Sequence, residues 1–218
     1  MGNASGGVGR GGFRCTEVRI NPFCSDVSTG TREMLCSSAR HVSITKGSTV
    51  SAVSFSKEVL VVKSGVLAVA LSTEKGGSQG LFVADSGCLI NAMKIAGATR
   101  HFDEGFNDSH LGYALTDLRG CAIPLSLMRR AFEDDPAFAR VVLSEITDRY
   151  RGALQNMALM AESSGVDRIV WLLDELERTG VGINGITHDL IGRLLCMNRV
   201  SVTRLMGKAL ERYGSAAR

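Results

Sequence analysis

The segment from Ile186 to Leu205 restricts the possible folds of this chain more than any other stretch. Its first half carries apolar residues at three- and four-residue spacing, which predicts one helical stripe: Ile186, Leu190, Ile191 and Leu194. Thr187 is a suitable N-cap, and Asp189 suits the first turn of such a helix, where negative charge is favoured. We therefore expect a short amphipathic helix in this half of the segment.

A second helix is predicted after a short turn. Cys196, Met197 and Asn198 leave room for a turn only, and Asn198 is a good N-cap. The next residues place an apolar face on one side of the helix: Val202, Leu205 and Met206. Most of the other positions are small, polar or basic: Arg199, Val200, Ser201, Thr203, Arg204 and Lys208. The segment thus predicts two helices joined by a tight turn, with basic residues on the outer face of the second.

Two helices in this arrangement allow the second one to enter the major groove of DNA. Arginine can bind guanine edges or phosphate, and hydroxyl groups reach phosphate oxygens. From Ile186 to Arg218 there are six Lys or Arg and two Asp or Glu, whereas the rest of the chain has 19 and 20. The net charge of +3 therefore originates in the last segment, which suits a polyanionic partner. The alternative is a surface helical hairpin whose charges are solvated.

The segment resembles the helix-turn-helix of the Crp/Fnr superfamily of bacterial transcription regulators. The matching residues are Thr187, Ile191-Gly192 and the run from Arg199 to Arg204. Two positions depart from the family pattern, because Cys196 replaces the usual turn glycine and Val200 stands where a base-reading Glu is common. The chemistry and the resemblance together imply base contacts from Arg199, Val200, Thr203 and Arg204, and phosphate contacts from Thr187, His188, Ser201 and Lys208.

Residues 21–134 have the pattern of a β-rich domain. Apolar runs at 59–62 and 66–71 flank Lys63-Ser64-Gly65, and we expect a loop at Gly76–Gly80 before a further apolar run. Short strands separated by glycine turns favour a β-roll or barrel. In the family that the chain resembles, this part is the effector-sensing domain and is similar to cyclic-nucleotide-binding domains. We therefore predict an α+β fold.

A long helix is predicted over residues 135–162. Asp135 before Pro136 provides an N-cap followed by proline at the first helical position. A helix of about 25 residues spans about 40 Å, which is more than one small domain needs. In the family that the chain resembles, this helix pairs two subunits, and a core helix within one domain is the alternative. The predicted dimer contacts are Val142, Ile146, Tyr150 and Met157.

The sequence does not identify an effector. Residues 86–92 lack the glutamate of the family's phosphate cassette, and residues 98–101 (Ala-Thr-Arg-His) do not reproduce its Arg-Ser/Thr-Ala motif, so cyclic AMP is not expected. The six cysteines include no CxxC pair, and buried reduced thiols are the simpler interpretation. Cys121, before Ile123-Pro124, matches one ligand position of the oxygen-sensing branch, which leaves an iron–sulfur cluster as an alternative. The spacing supports neither a haem nor any other metal ligand set.

The two ends of the chain carry further expectations. Residues 1–20 are mostly glycine and small polar residues, which predicts a disordered tail without the apolar core of a signal peptide. The chain has no apolar run of membrane-spanning length, so we expect no membrane association and a cytoplasmic location. A helix-turn-helix domain is predicted for residues 163–218, with too few residues after the second helix for the β-hairpin wing that family members carry.

The predicted protein is a regulator without catalytic residues. We expect it to bind double-stranded DNA as a homodimer on a two-fold operator and to respond to a small molecule or a redox change, with RNA polymerase as a further partner. Two alternatives remain open from the sequence. One is a β-roll sensory module with no DNA target, and the other is a cupin-like metalloenzyme, which would require a His/carboxylate cluster.

Overall fold

The computed structural model describes residues 22–72, 78–97 and 110–216. Two short helices, α1 (Pro22–Asp26) and α2 (Thr29–Ser37), precede the strands. The strands are β1 (Arg40–Ile44), β2 (Thr49–Ser51), β3 (Glu58–Ser64), β4 (Leu67–Ser72), β5 (Ser78–Ala84), β6 (Leu89–Ile90), β7 (His110–Ala114) and β8 (Leu118–Pro124). The disordered tail that the sequence predicts for residues 1–20 lies outside the described residues.

The described strands form two antiparallel sheets, in the orders β1-β8-β3-β6 and β2-β7-β4-β5. Their facing sides enclose an apolar core that includes Val42, Phe55, Leu60, Leu67 and Leu118. Because both faces of β3 and β4 are covered, these strands read as continuous apolar runs instead of alternating patterns. The predicted β-roll and its two central strands are thus confirmed.

One predicted boundary in the β-roll is wrong. The loop expected at Gly76–Gly80 ends earlier, because β5 begins at Ser78. Gly80 pairs with Ala70, and Ser78 pairs with Ser72, so this edge strand is held by backbone pairing despite its glycine. The register between β4 and β5 shifts beside Gly80, which is typical of a bulge at a strand glycine.

Five helices follow the strands in the described part of the chain: α3 (Leu125–Asp134), α4 (Pro136–Glu162), α5 (Gly165–Arg178), α6 (His188–Leu194) and α7 (Arg199–Ala216). The long helix is confirmed as α4, with 27 residues and Pro136 in its first turn. Ser164 caps α5 through a capping box with Asp167. None of the helices within the described ranges is long and apolar enough to cross a membrane.

Asp135 connects the N-terminal helices to the start of α4. Its carboxylate accepts hydrogen bonds from the backbone N–H groups of Ala137 and Phe138, as an N-cap does. The hydroxyl groups of Thr31 and Ser28 donate to the same carboxylate at 2.6 and 2.9 Å. The hydrogen bond from Thr31 is the main reason why the pKa of Asp135 falls from 3.8 to about 2, and the bond from Phe138 adds to it.

Candidate nucleic-acid interface

The turn between α6 and α7 depends on one close backbone approach. The backbone N–H of Met197 donates to the carbonyl of Gly192 at 2.8 Å. A Cβ on Gly192 would lie 2.5 Å from the carbonyl oxygen of Met197, so only glycine fits there. Cys196 takes the left-handed conformation at φ +54°, in the position where the family pattern has glycine. The turn is therefore the predicted one, formed with a cysteine in a conformation that costs it more than glycine.

Both predicted N-caps of the two helices are confirmed. The side-chain oxygen of Thr187 accepts from the backbone N–H of Leu190 at 3.2 Å. Asn198 Oδ1 accepts from the backbone N–H of Ser201 at 2.7 Å. The cap uses only an oxygen lone pair of Thr187, so its hydroxyl proton can still be donated to a phosphate. Each helix therefore starts at a fixed residue, which sets the rotation of its outer face.

The inner face of α7 is anchored in the protein core. Val202 and Ala209 are fully buried, and Met206 is almost so. They share one apolar cluster with Ile169, Leu172 and Leu176 of α5, and with Ile191 and Leu194 of α6. The close approach of α7 to α5 is visible at Gly165, where a Cβ would lie 2.7 Å from the side chain of Leu205. Packing on this side leaves the opposite side of α7 to the solvent.

That outer face carries every side chain predicted to contact a base. Arg199, Val200, Thr203 and Arg204 are exposed, and Lys208 continues the same face one turn later. Val200 is 76% exposed, the largest value among the exposed large apolar side chains of the described residues. Ser201 is only half-buried, and it lies beside the N-cap at the start of the helix. The contacts of these residues with DNA stay predictions.

His188 and Thr203 connect the two helices on this outer face. His188 Nδ1 lies 2.9 Å from Thr203 Oγ1. The hydroxyl of Thr203 donates its single proton to the carbonyl of Arg199 at 3.0 Å, so Nδ1 of His188 must be the donor in the other bond. Nε2 of His188 then has no proton while the ring is neutral. It can donate to a phosphate only when the ring is protonated.

The two helices also contact the β-roll. A Cβ on Gly80 of β5 would lie 2.7 Å from the carbonyl oxygen of Leu194. Asn156 of α4 is 1% exposed, and its Nδ2 donates to the carbonyl of Gly80 at 2.6 Å. Apolar residues of β4 and β7, such as Ala68 and Tyr113, belong to the same cluster as the helix-turn-helix. The edge strand β5 is thereby covered by α6 and α4.

A chain of charged side chains connects α4 to α5 across β5. Arg149 Nε donates to Glu145 Oε1 at 2.9 Å, and Arg149 Nη2 lies 3.9 Å from Asp85 Oδ1. Arg178 Nη1 contacts the other oxygen of Asp85 at 3.2 Å and Glu175 with its second nitrogen at 3.1 Å. A single aspartate after β5 thus holds one arginine from the long helix and one from the first helix of the C-terminal part.

The dimer prediction requires a correction. Val142 is fully buried among Phe138, Met128 and other residues of its own chain, and Ile146 packs partly against the same cluster. Val142 therefore cannot contact a second subunit, and Ile146 keeps only part of its surface open for one. Tyr150 and Met157 are 62% and 53% exposed, as the prediction needs. The exposed apolar positions of α4 form a stripe at heptad spacing, which we call the α4 stripe: Leu143, Tyr150, Leu154 and Met157.

A cavity of about 540 Å³ lies between α1, the turn after β5 and the first half of α4. Its lining includes Ser86, Cys88, Arg140, Ser144 and Glu145. Burial raises the pKa of the Cys88 thiol well above its usual range, so this thiol is not a reactive group. The stretch compared with the phosphate cassette contains β6 and Asn91, which has a left-handed φ of +71°. Residues 98–101, which contain Arg100 but do not match the family's arginine cassette, lie outside the described residues.

The cysteines occupy three separate places in the described structure. Cys88 lines the cavity beside α4, and Cys196 is in the helix-turn-helix. Cys24, Cys36 and Cys121 all line a second, much smaller cavity under α1 and α2. Among the residues that the structure describes, no group of three or more His, Cys, Asp or Glu side chains is placed to hold a metal ion.

Solved structures of other proteins share this fold. One is a protein of Eubacterium rectale assigned to the Crp/Fnr family of transcriptional regulators, with a TM-score of 0.68 and 19% identity over 88% of this chain and 87% of that chain. Another is the c-di-GMP responsive global regulator CLP of Xanthomonas campestris, with a TM-score of 0.65 and 17% identity over 86% and 93%. FixK2 of Bradyrhizobium japonicum has a TM-score of 0.61 and 17% identity over 80% and 85%.

These similarities establish the fold. The chain has the α+β architecture of Crp/Fnr regulators, with a β-roll, a long helix and a C-terminal helix-turn-helix, as the sequence resemblance predicted. No protein-family model matches the sequence, and no curated protein matches it. What the chain binds must therefore be argued from its own residues.

Proposed function

We propose that this chain is a transcription regulator that binds double-stranded DNA by inserting α7 into the major groove. The observation that carries the proposal is the outer face of α7, where Arg199, Val200, Thr203 and Arg204 are all exposed on a helix with a buried inner face. A helix that is anchored in this way can press its side chains against base edges without losing its position. The Crp/Fnr fold places such a helix at the end of the chain, as here.

The two arginines and Val200 have different roles in this proposal. Arg204 donates to the O6 and N7 atoms of a guanine, which is the commonest specific contact of arginine in the major groove. Arg199, in the first turn, contacts a base or the adjacent phosphate. Val200 has no hydrogen-bonding group, and in the major groove the apolar partner for it is the methyl group of thymine. The half-site is therefore expected to contain a thymine opposite Val200.

Contacts to phosphate complete the interface. Thr187, Ser201 and Lys208 flank the base-contacting face and carry one ammonium and two hydroxyl groups. His188 joins them when its ring is protonated. These groups position the helix and make the affinity depend on salt, because each neutralised phosphate releases counterions. The excess of basic residues after Ile186 supports this arrangement.

The regulator acts as a homodimer in this proposal, with the α4 stripe as the contact between subunits. Leu143, Tyr150, Leu154 and Met157 are between 48% and 62% exposed, and they lie on the 27-residue helix α4. Two such stripes can bury each other in a coiled coil, which removes this apolar surface from water. The two-fold axis would then present two copies of α7 to a two-fold operator.

An effector bound near α4 would control DNA binding. The cavity beside Ser86 and Glu145 borders the ion pairs that join α4 to α5. A ligand in this cavity can therefore shift both α4 and the helix-turn-helix that follows α5. We expect a small organic molecule in this cavity, and neither cyclic AMP nor cyclic GMP. A redox change at the cysteines is the alternative signal. We assign no catalytic residue to the protein.

The decisive experiment is selection of bound sequences from random DNA with the purified full chain, with and without small-molecule cell extract. We expect enrichment of a two-fold site in which each half-site contains a thymine. Affinity for the selected site should fall steeply with salt, as expected when several phosphates are contacted. If the dimeric protein has no salt-dependent affinity for any DNA under either condition, the proposal is refuted.

A further inference from the structure

Lys63 and Cys24 form a buried pair away from the proposed DNA interface. Lys63, in β3, is 4% exposed, and Cys24, in α1, is 9% exposed. The ammonium Nζ of Lys63 donates to Cys24 Sγ over 2.6 Å. A lysine is rarely buried to this degree without a specific partner. The sulfur and the nitrogen are near enough to react with each other after only a small adjustment.

A small cavity lies beside the pair. It has a volume of about 20 Å³, which is room for one molecule of about the size of water. Besides Lys63 and Cys24 it is lined by Cys36 and Cys121, with mostly apolar side chains around them. Cys36, one of the lining residues, is an exposed residue of α2.

We propose that Cys24 and Lys63 form a peroxide-reactive site, in which oxidation of the thiol ends in a covalent sulfur–nitrogen bond between the two side chains. The inference rests on this pair and its cavity, and it is independent of DNA binding. The Lys63 ammonium lies directly against the Cys24 sulfur, and the thiolate is the form of cysteine that attacks peroxide. Lys63 therefore acts in both steps, first as a proton donor and then as the nucleophile.

The first step oxidises the sulfur. The Cys24 thiolate attacks one oxygen of hydrogen peroxide, the O–O bond breaks, and the sulfur becomes a sulfenic acid while the peroxide is reduced. The departing hydroxide takes a proton from the Lys63 ammonium and leaves as water. This proton transfer balances the charge of the step and leaves Lys63 as a neutral amine beside the new sulfenic acid.

The second step joins the two residues. The lone pair of the Lys63 amine attacks the sulfenic sulfur, an S–N bond forms, and the S–O bond breaks. The hydroxyl leaves with one proton from the nitrogen as a second water molecule, so the product is two hydrogen atoms lighter than the reduced protein. Sulfenic acids condense with nitrogen in this way as well as with thiols, and thiol reductants reverse the product.

The site can affect the rest of the protein through α1. Phe23, next to Cys24, makes an edge-to-face contact with Phe138 in the first turn of α4, with ring centres 5.9 Å apart. A covalent bond from Cys24 to β3 would therefore fix α1 against the β-roll beside the start of the long helix. Oxidation then adds a restraint at one end of the element that carries the α4 stripe.

The test is peptide mapping of the full chain by mass spectrometry after brief treatment with hydrogen peroxide. We expect a product that is two hydrogen atoms lighter and joins the peptide containing Cys24 to the peptide containing Lys63, and that disappears with dithiothreitol. Cys24→Ser should abolish it, and Cys36→Ser should retain it. Lys63→Arg keeps the cation without a nucleophilic amine, so Cys24 should then stop at a sulfenic acid that dimedone traps.

Two results would overturn the proposal. One is a disulfide from Cys24 to another cysteine in the wild-type protein, with Lys63 unmodified. The other is an unmodified Cys24 after its exposed neighbour Cys36 has been oxidised. Circular dichroism shows whether the Lys63→Arg variant is folded, and if it is not, the wild-type peptide map alone decides the question. Neither result depends on whether the protein binds DNA.

Discussion

His188 in the first turn of α6 is hydrogen-bonded to Thr203 on the outer face of α7, with 2.9 Å between Nδ1 and Oγ1. The bond joins the two helices on the side that faces solvent. It also uses the hydroxyl of Thr203 as an acceptor, because its proton goes to the Arg199 carbonyl. Thr203 therefore has its methyl group and one oxygen lone pair left for a base.

We expect the His188–Thr203 bond to be measurable as a coupling in stability. Thr203→Val removes the hydroxyl and keeps the shape, and His188→Ala removes the ring. In a double-mutant cycle of urea unfolding, the coupling should be about 0.5–1.5 kcal/mol, the usual net value of one hydrogen bond. A coupling of zero would mean that the two side chains do not hold the helices together.

Arg204 and Lys208 should differ in what they contribute to DNA binding. Arg204→Ala should weaken binding to the selected site by about 1–3 kcal/mol and relax the preference at one base pair. Lys208→Ala should weaken all sequences alike and reduce the salt slope by about 1. Binding isotherms on the selected site and on unrelated DNA, over a range of salt, separate the two. Equal effects of both variants on all DNA would contradict the assignment.

Val200 should contact the methyl group of a thymine. Replacing that thymine by uracil removes only the methyl group, and we expect a loss of about 0.8 kcal/mol, or about fourfold in affinity, from the lost apolar burial. The Val200→Ala variant should bind the two DNAs almost equally. Substituting uracil at each thymine of the half-site in turn identifies the position. If no substitution discriminates between wild type and variant, Val200 does not read a methyl group.

Leu154 lies in the α4 stripe and should be needed for the dimer. Leu154→Asp would place a charge in the buried seam between two subunits and should give monomers in light scattering, with a loss of operator binding. Gln155→Asp adds the same charge at the next position, which is exposed but outside the stripe, and should leave the dimer intact. A Leu154→Asp variant that remains dimeric would locate the subunit contact elsewhere.

Asp135 should make stability depend on acid pH. Its pKa is lowered from 3.8 to about 2, chiefly by the hydrogen bond from Thr31, so its charged form is favoured in the folded state. The stabilisation is complete above pH about 4 and is lost as the pH falls toward about 2. In Asp135→Asn we expect a lower melting temperature at neutral pH, and a difference from wild type that shrinks through this window.

The neighbouring Asp134 provides the control for that experiment. It forms one exposed ion pair with Arg130, at 3.4 Å, and does not cap a helix. Asp134→Asn should therefore change the melting temperature little at any pH, since exposed pairs contribute little. A difference between wild type and Asp135→Asn that stays constant down to the lowest pH would contradict the role of the charged carboxylate.

Local patterns in the sequence were sufficient for the helices that carry the candidate interface. The caps at Thr187 and Asn198, the cap at Asp135 and the apolar spacing within each helix depend on residues a few positions apart. The same holds for β3 and β4, whose apolar runs are visible without any partner strand. Such features are encoded locally because their hydrogen bonds and turns close over three or four residues.

Features that depend on contacts between distant segments could not be predicted from local patterns. The sequence pattern placed Val142 and Tyr150 on one stripe, but α4 packs on one side against α1 and α3, which buries Val142 and leaves Leu143 outside. The position of β5 depends on pairing with β4, so its start at Ser78 is hidden in a glycine-rich stretch. Helical spacing shows that a stripe exists, and only the neighbours of the helix decide which side of it is covered.

The sequence by itself determined the order of the parts and the chemistry of the α7 face, because caps, turns and apolar spacing act over short distances. The tertiary structure decided which residues from distant segments meet. Lys63 contacts Cys24, Asp85 contacts Arg149 and Arg178, and Gly80 lies against Leu194 at the end of α6. These contacts join residues that are many positions apart, and their free energy exists only once the whole core has packed. They cannot be inferred from spacing along the chain.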